Sequence, residues 1–179
     1  SNTIDDFRSF FSKNKKTSQI NISDTIEKSL ELMGNSFLHH KINLVKNIKS
    51  IEILSLENEL IQVLMNILVN AKDALRHTVS ADKYIFIDVI KKENQIFIQI
   101  KDNAGGINDD IIDKIFELYF TTKHKSIGTG IGLSMTHQII TKHHNATIFA
   151  SNETYEYENK TYTGACFTII FNKNAEQLI

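Results

Sequence analysis

A chain of 179 residues with 41% hydrophobic and 23% charged residues has the balance of one globular domain, alone or with an appendage, and can bury a sizeable core. Lys+Arg 20 against Asp+Glu 21 leaves a formal net charge of -1, which excludes a global field for nucleic acid or for membrane contact, so any anion site must be built locally. The single cysteine, Cys166, excludes an internal disulfide and suits a reducing compartment, and no apolar run reaches bilayer-spanning length.

In chain order, Ser1-Asn2 reads as an expression scar, which would make this an excised fragment of a longer protein. Ile4, Phe7, Phe10 and Phe11 then form the apolar stripe of a short helix that ends in the polar stretch Ser12 to Ser18. Ser23 or Asp24 can cap a second helix running to about Phe37, with Ile26, Leu30 and Met33 inward. Short strands are expected at Ile42 to Val45 and Ile51 to Ile53, followed by a helix that begins near Glu57. Strands at Tyr84 to Ile90 and Gln95 to Lys101 flank the hairpin-like Lys91 to Asn94. A short helix is expected over Asp109 to Phe116 and a long one from about Ile131 to His144. Strands Thr147 to Ser151 and Ala165 to Phe171 close the chain, with Tyr155 to Lys160 as a polar tip. With no proline, breaks fall to glycine and to Asn/Asp/Ser clusters. The mixed order of strands and helices points to an α+β fold, a mixed or antiparallel sheet with helices on one face.

Three segments carry candidate chemistry. In the helix after Glu57, Leu60, Leu64, Ile67, Leu68, Ala71 and Leu75 form a buried stripe, while Gln62, Asn66, Asn70, Asp73 and His77 align on another face. Asparagine is a poor helix former, so two of them one turn apart suit either a docked polar ligand or a solvated face. Asp102 stands where a strand runs into Gly105 and Gly106. A carboxylate there can accept from an amino donor such as the adenine amine and disfavours guanine, although Asp-Asn-x-Gly-Gly is also a common turn. Gly128-x-Gly130-x-Gly132 opens into a helix, which suits a phosphate or merely a hinge. That loop lacks the Gly-Lys-Ser/Thr of a Walker A motif, and Leu133 replaces the third glycine of a dinucleotide fingerprint. Lys123 and Lys125 belong to an intervening loop that is either phosphate-binding or solvated. The pairs His39-His40 and His143-His144 are too isolated to argue for metal.

The order of these pieces resembles a family. Asn66-x-x-x-Asn70-Ala71-x-Asp73-Ala74, Asp102 to Ile107, Lys114 to Lys123 and Gly128 to Ser134 are similar to the N, G1, F and G2 boxes of bacterial sensor histidine kinases. The resemblance implies the Bergerat-type two-layer α/β sandwich shared with gyrase, mismatch-repair ATPases and heat-shock chaperones. It implies that residues 1–16 are the end of a dimerisation helix and its linker, and that 17–179 are the ATP-binding domain. By the same resemblance Asn70 would be the Mg²⁺ ligand, and Asn66 would assist at the phosphates. Asp102 would hold adenine, with Ala104, Gly106 and Ile107 shaping that wall. Gly128, Thr129, Gly130, Ile131, Gly132 and Leu133 would line the phosphates, Thr121 and Lys123 would belong to the lid, and Asp73 would steady the helix or an adjacent lysine.

Ala104 stands where the family often has glycine, Leu118 where it often has proline, and His144-Asn145-Ala146 where His-Gly-Gly is common. Asn66 occupies the place of the glutamate that activates water in the hydrolytic relatives, and an amide is no general base at neutral pH. The resemblance therefore implies a protein-histidine kinase domain that holds Mg²⁺-ATP for an acceptor histidine outside this chain. The expected partners are its own dimerisation domain and a response regulator. The expected setting is cytoplasmic, with a parent that is a candidate for inner-membrane anchoring. The rival readings are a serine kinase of the anti-sigma-factor type and a non-catalytic interaction module.

Overall fold

The computed structural model describes residues 16–123 and 129–172. The N-terminal apolar stripe, Gly128 and Lys125 therefore lie outside the described residues. Strand β1 (Ser18–Asn21) leads directly into helix α1 (Ile22–His39); β2 (Asn43–Ile48) and β3 (Glu52–Ser55) precede helix α2 (Glu57–Arg76). Strands β4 (Tyr84–Lys92) and β5 (Gln95–Asp102) follow, then helix α3 (Gly132–Gln138), and last β6 (Thr147–Tyr157) and β7 (Lys160–Asn172).

The main sheet has five strands in the order β2-β4-β5-β7-β6, parallel only between β2 and β4. Strand alternation puts Ile85, Ile87 and Val89 of β4, Ile96, Ile98 and Ile100 of β5, and Phe167, Ile169 and Phe171 of β7 on one buried face. Against that face pack the apolar stripes of α1, with Ile22, Ile26, Leu30, Met33 and Phe37, and of α2, with Leu60, Leu64, Ile67, Leu68 and Leu75. This is the expected α+β sandwich with helices on one face. No helix among the described residues is long and apolar enough to cross a membrane.

Several local features depart from the sequence expectations. A small second sheet pairs β1 antiparallel with β3, with Ile20 opposite Ile53. With one buried apolar residue in Ser-Gln-Ile-Asn, β1 carries no alternation signal and exists through its partner. Because β1 feeds straight into α1, the cap is Asn21 and neither Ser23 nor Asp24: Asn21 Oδ1 accepts from Ser23 N at 3.0 Å. The helix expected over Asp109 to Phe116 contracts to a single 3₁₀ turn, Ile112–Lys114. The helix expected from Ile131 to His144 is α-helical only through Gln138 and continues as a π turn, Ile139–His143.

That π turn ends with two histidines at one buried carboxylate. His143 Nδ1 lies 3.0 Å and His144 Nε2 3.5 Å from Glu59 Oε2, and His144 Nδ1 lies 2.8 Å from Ser55 Oγ. No group of metal-ligating side chains forms a metal site among the described residues.

The last hairpin is longer than its polar sequence suggests. The tip narrows to Glu158 and Asn159, both at positive φ (48° and 61°), as a two-residue hairpin turn requires. Tyr155 and Tyr157 extend β6 because they pack on the outer face of the sheet: Phe86 lies 5.1 Å from each ring, centroid to centroid.

Candidate functional site

β5 ends on its core face. The alternation that buries Ile96, Ile98 and Ile100 places Asp102 next in line, 3% exposed, so a carboxylate stands where an apolar side chain would otherwise sit. Oδ1 accepts from the backbone N–H of Ala104 at 2.9 Å and of Ala165 at 3.2 Å, while Oδ2 receives no hydrogen bond among the described residues. Burial pushes the Asp102 carboxyl up to about 6, and the two backbone N–H bonds offset only part of that rise. A buried acid with one oxygen saturated and one still able to accept is a preformed receptor for an amino donor.

The backbone around it is held from several sides. Gly105 N donates to Thr163 O at 2.9 Å, and the Tyr155 hydroxyl donates to Asp102 O at 2.8 Å. Gly105 and Gly106 have φ of 94° and 90°, a region that favours glycine. The Asn152 side chain brackets Ile107, accepting from its N–H at 2.7 Å and donating to its carbonyl at 2.6 Å. Ala104 and Ile107 are partly buried against the core.

α2 packs across β5 and α3. On its polar face Asn66 Nδ2 donates to Gly132 O at 3.0 Å and to Thr136 Oγ1 at 3.1 Å, joining α2 to the start of α3. One turn on, Asn70 Nδ2 donates to Asn66 O at 2.8 Å, which turns Asn70 Oδ1 toward the Lys123 ammonium, 3.3 Å away. Asp73 Oδ2 lies 2.7 Å from the same ammonium, and Asp73 Oδ1 lies 3.4 Å from Lys72 Nζ. Burial alone would raise the Asp73 carboxyl, but the hydrogen bond and charge of Lys123, aided by Lys72, hold it below the usual carboxylate range.

The glycine segment meets the other side of the site. Gly130, at φ 67°, rests on the peptide of Tyr119 and Phe120, where a Cβ would come within 2.5 Å of the Tyr119 carbonyl carbon. Tyr119 N donates to Gly130 O at 3.0 Å, so the two ends of the intervening segment are tied together. Thr129 Oγ1 lies 3.4 Å from Ile131 N, Thr121 Oγ1 accepts from Lys123 N at 3.0 Å, and Leu133 packs partly buried on the core.

The sequence-derived residues thus assemble into two groups. Asp102, Ala104, Gly106 and Ile107 form one; Asn66, Asn70, Asp73, Thr121, Lys123 and Gly132 form the other; the packing of α2 on β5 links them. Sequence reasoning misses Gly164, Ala165, Asn152 and Thr136. A glycine inside a strand is a cue for close backbone approach, but Gly164 becomes one only once β7 is known to start ahead of Ala165, whereas Asn152 and Thr136 carry no local signal. Cys166 is buried, which pushes its thiol up to about 11 and leaves no basis for a reactive thiolate.

The family model for histidine kinase-, DNA gyrase B-, and HSP90-like ATPases matches residues 55–175, more than half of the chain. The chain belongs to that family. Within it, this domain is a histidine kinase catalytic domain by its relatives. The signal transduction histidine-protein kinase AtoS of Escherichia coli K12 is 31% identical over 161 residues, 88% of this chain and 24% of AtoS. The two-component sensor PprA of Pseudomonas aeruginosa is 32% identical over 99 residues, 54% of this chain and 11% of PprA. The kinase domain therefore spans a minor part of each of these relatives. The nucleotide-free catalytic domain of histidine kinase ThkA superposes with a TM-score of 0.72 at 22% identity, covering 90% of this chain and 98% of that one. ThkA in complex with the response regulator TrrA also gives 0.72, at 21% identity, covering 98% of this chain and 48% of that one. At these identities the solved structures establish the fold.

Proposed function

We propose that this domain binds Mg²⁺-ATP and presents its γ-phosphate to a histidine on a dimerisation domain of the parent protein. The observation that carries the reading is Asp102, a buried carboxylate whose Oδ1 is saturated and whose Oδ2 is left to accept from an adenine amine. Asn70 Oδ1 and Asp73 Oδ2 already hold a cation, the Lys123 ammonium, and their hard oxygens suit Mg²⁺. Mg²⁺ would neutralise and orient phosphate oxygens, for which phosphoryl transfer has more need than for covalent help from the protein.

The chain's own groups have distinct parts in this reading. Asp102 selects adenine, Asn70 is the protein ligand offered to the metal, and Gly128, Thr129, Gly130, Ile131, Gly132 and Leu133 wrap the phosphates. Asn66 fixes the distance between α2 and α3 and, as an amide, takes no proton from water, which favours transfer over hydrolysis. Residues 1–16 are the end of the dimerisation helix and linker, and the phosphorylated parent passes its phosphoryl group to a response regulator.

The isolated chain is expected to bind Mg²⁺-ATP in preference to Mg²⁺-GTP and to acquire no acid-labile phosphate, because none of its seven histidines sits in an acceptor context. Adding the parent's dimerisation domain in trans is expected to give acid-labile phosphate on that domain. Acid-labile phosphate on the chain alone, or acid-stable phosphate on a partner serine, overturns the assignment.

A further inference from the structure

We infer that the Lys123 ammonium is a resident counter-cation of the α2 polar face, and that it has to leave before a divalent cation can use Asn70 Oδ1. On this view Lys123 sets how much Mg²⁺ the domain needs to take up nucleotide. The inference rests on the Mg²⁺-ATP reading above and adds to it an exchange between two cations at one oxygen.

Three features build the site around the lysine. Asn70 is fixed by its bond to Asn66 O at 2.8 Å, so its remaining oxygen is committed to the ammonium at 3.3 Å. Asp73 divides its two oxygens, Oδ2 on Lys123 at 2.7 Å and Oδ1 toward Lys72 at 3.4 Å, with Arg76 Nη1 at 4.0 Å from the same Oδ1. Thr121 Oγ1 accepts the Lys123 backbone N–H at 3.0 Å and steadies the root of the side chain. Lys123 and Asp73 are partly withdrawn from water, with side-chain exposures of 34% and 18%.

An amide oxygen at hydrogen-bond distance from an ammonium cannot also ligate Mg²⁺ at about 2.1 Å without placing two cations within a few ångströms of each other. Repulsion between them disfavours joint occupancy where both side chains are only partly exposed, so the ammonium and the metal compete for that oxygen. The released ammonium carries its charge to the neighbourhood of the incoming phosphates.

The test is the Mg²⁺ concentration that half-saturates binding of a non-hydrolysable ATP analogue, followed by fluorescence for the wild-type chain, Lys123→Met and Lys123→Arg. Lys123→Met is expected to lower that concentration by roughly three- to tenfold, the scale of one partly exposed charge pair. Lys123→Arg, which keeps the charge, is expected to retain a requirement close to wild type. Binding of the analogue with an unchanged or raised Mg²⁺ requirement in Lys123→Met, or an equal drop in both variants, sinks the inference and leaves the ATP reading standing. Failure of the wild-type chain to bind the analogue at any Mg²⁺ concentration removes both.

Discussion

Asp102→Asn is expected to abolish nucleotide binding while making the nucleotide-free domain more stable at neutral pH. The substituted amide would keep an oxygen for the Ala104 and Ala165 N–H groups, but its nitrogen would present a donor where adenine also presents one. A charge-assisted bond is then replaced by two opposed donors, and affinity for ATP analogues should fall by roughly 100-fold or more. The stability effect follows from the raised carboxyl. Its ordinary value of 3.8 becomes about 6 in the fold because burial disfavours the ionised form. A raised acid stabilises the fold fully below pH 3.8, and that contribution is lost as pH rises through about 6. A rise of that size corresponds to about 3 kcal/mol, so at pH 7.5 the wild type carries a penalty that the neutral amide does not.

Urea unfolding of the two proteins at pH 4 and at pH 7.5 checks this. Their stabilities should lie close together at the lower pH, with the variant ahead at the higher; a variant less stable at pH 7.5 contradicts it. Binding supplies an independent check. A ligand that prefers the carboxylate lowers its proton affinity, so nucleotide uptake near pH 6 should release more protons from the wild type than from any Asp102→Asn protein that still binds. Calorimetry in two buffers of different ionisation enthalpy reads that difference.

Why Asp102 is legible in the sequence, and its surroundings are not, is a matter of range. Its position at the end of an alternating strand before two glycines is local information, as are the apolar stripe of α2 and the Asn66 to Asn70 spacing one turn apart. The cap at Asn21 is also local chemistry, but recognising it requires knowing that β1 exists, and β1 is held by pairing with β3 more than thirty residues away. The π turn at Ile139–His143 has no propensity signature, and Glu59, against which His143 and the capping His144 finish, is far away in sequence. The outer extension of β6 reads as polar because its Glu and Thr residues alternate with tyrosines that pack on Phe86 of another strand. The Lys123 contact belongs to the same class: the motif suggests a lysine near phosphate, and only the fold reveals which oxygens of α2 it rests on.

Gly164→Ala is expected to cost the domain more stability than a methyl added at any of its other described glycines, and to take the nucleotide site with it. A Cβ on Gly164 would lie 1.6 Å from Asp102 O, 2.4 Å from Asp102 C and 2.9 Å from Asp102 Oδ1. The two closest atoms are backbone, so no rotamer change relieves the clash, and β5 must move away from β7 at the point where Asp102 is held. Moving it pulls Asp102 O off the Tyr155 hydroxyl and Oδ1 off Ala165 N, which leaves polar groups unmet in a buried setting. Overpacking alone costs about 1–3 kcal/mol, and the lost hydrogen bonds add to it, so a drop of about 3 kcal/mol or more in urea unfolding is expected. Gly34→Ala is the matched control: it lies within α1, a Cβ there would meet nothing within 4 Å, and the change should raise stability by about 0.5–1 kcal/mol. Where Gly164→Ala still folds at low temperature, it should bind ATP analogues weakly while keeping its helical circular dichroism, because the damage is centred on Asp102 and spares α2. Wild-type affinity in a folded Gly164→Ala protein would mean that the β5–β7 approach does not position the carboxylate.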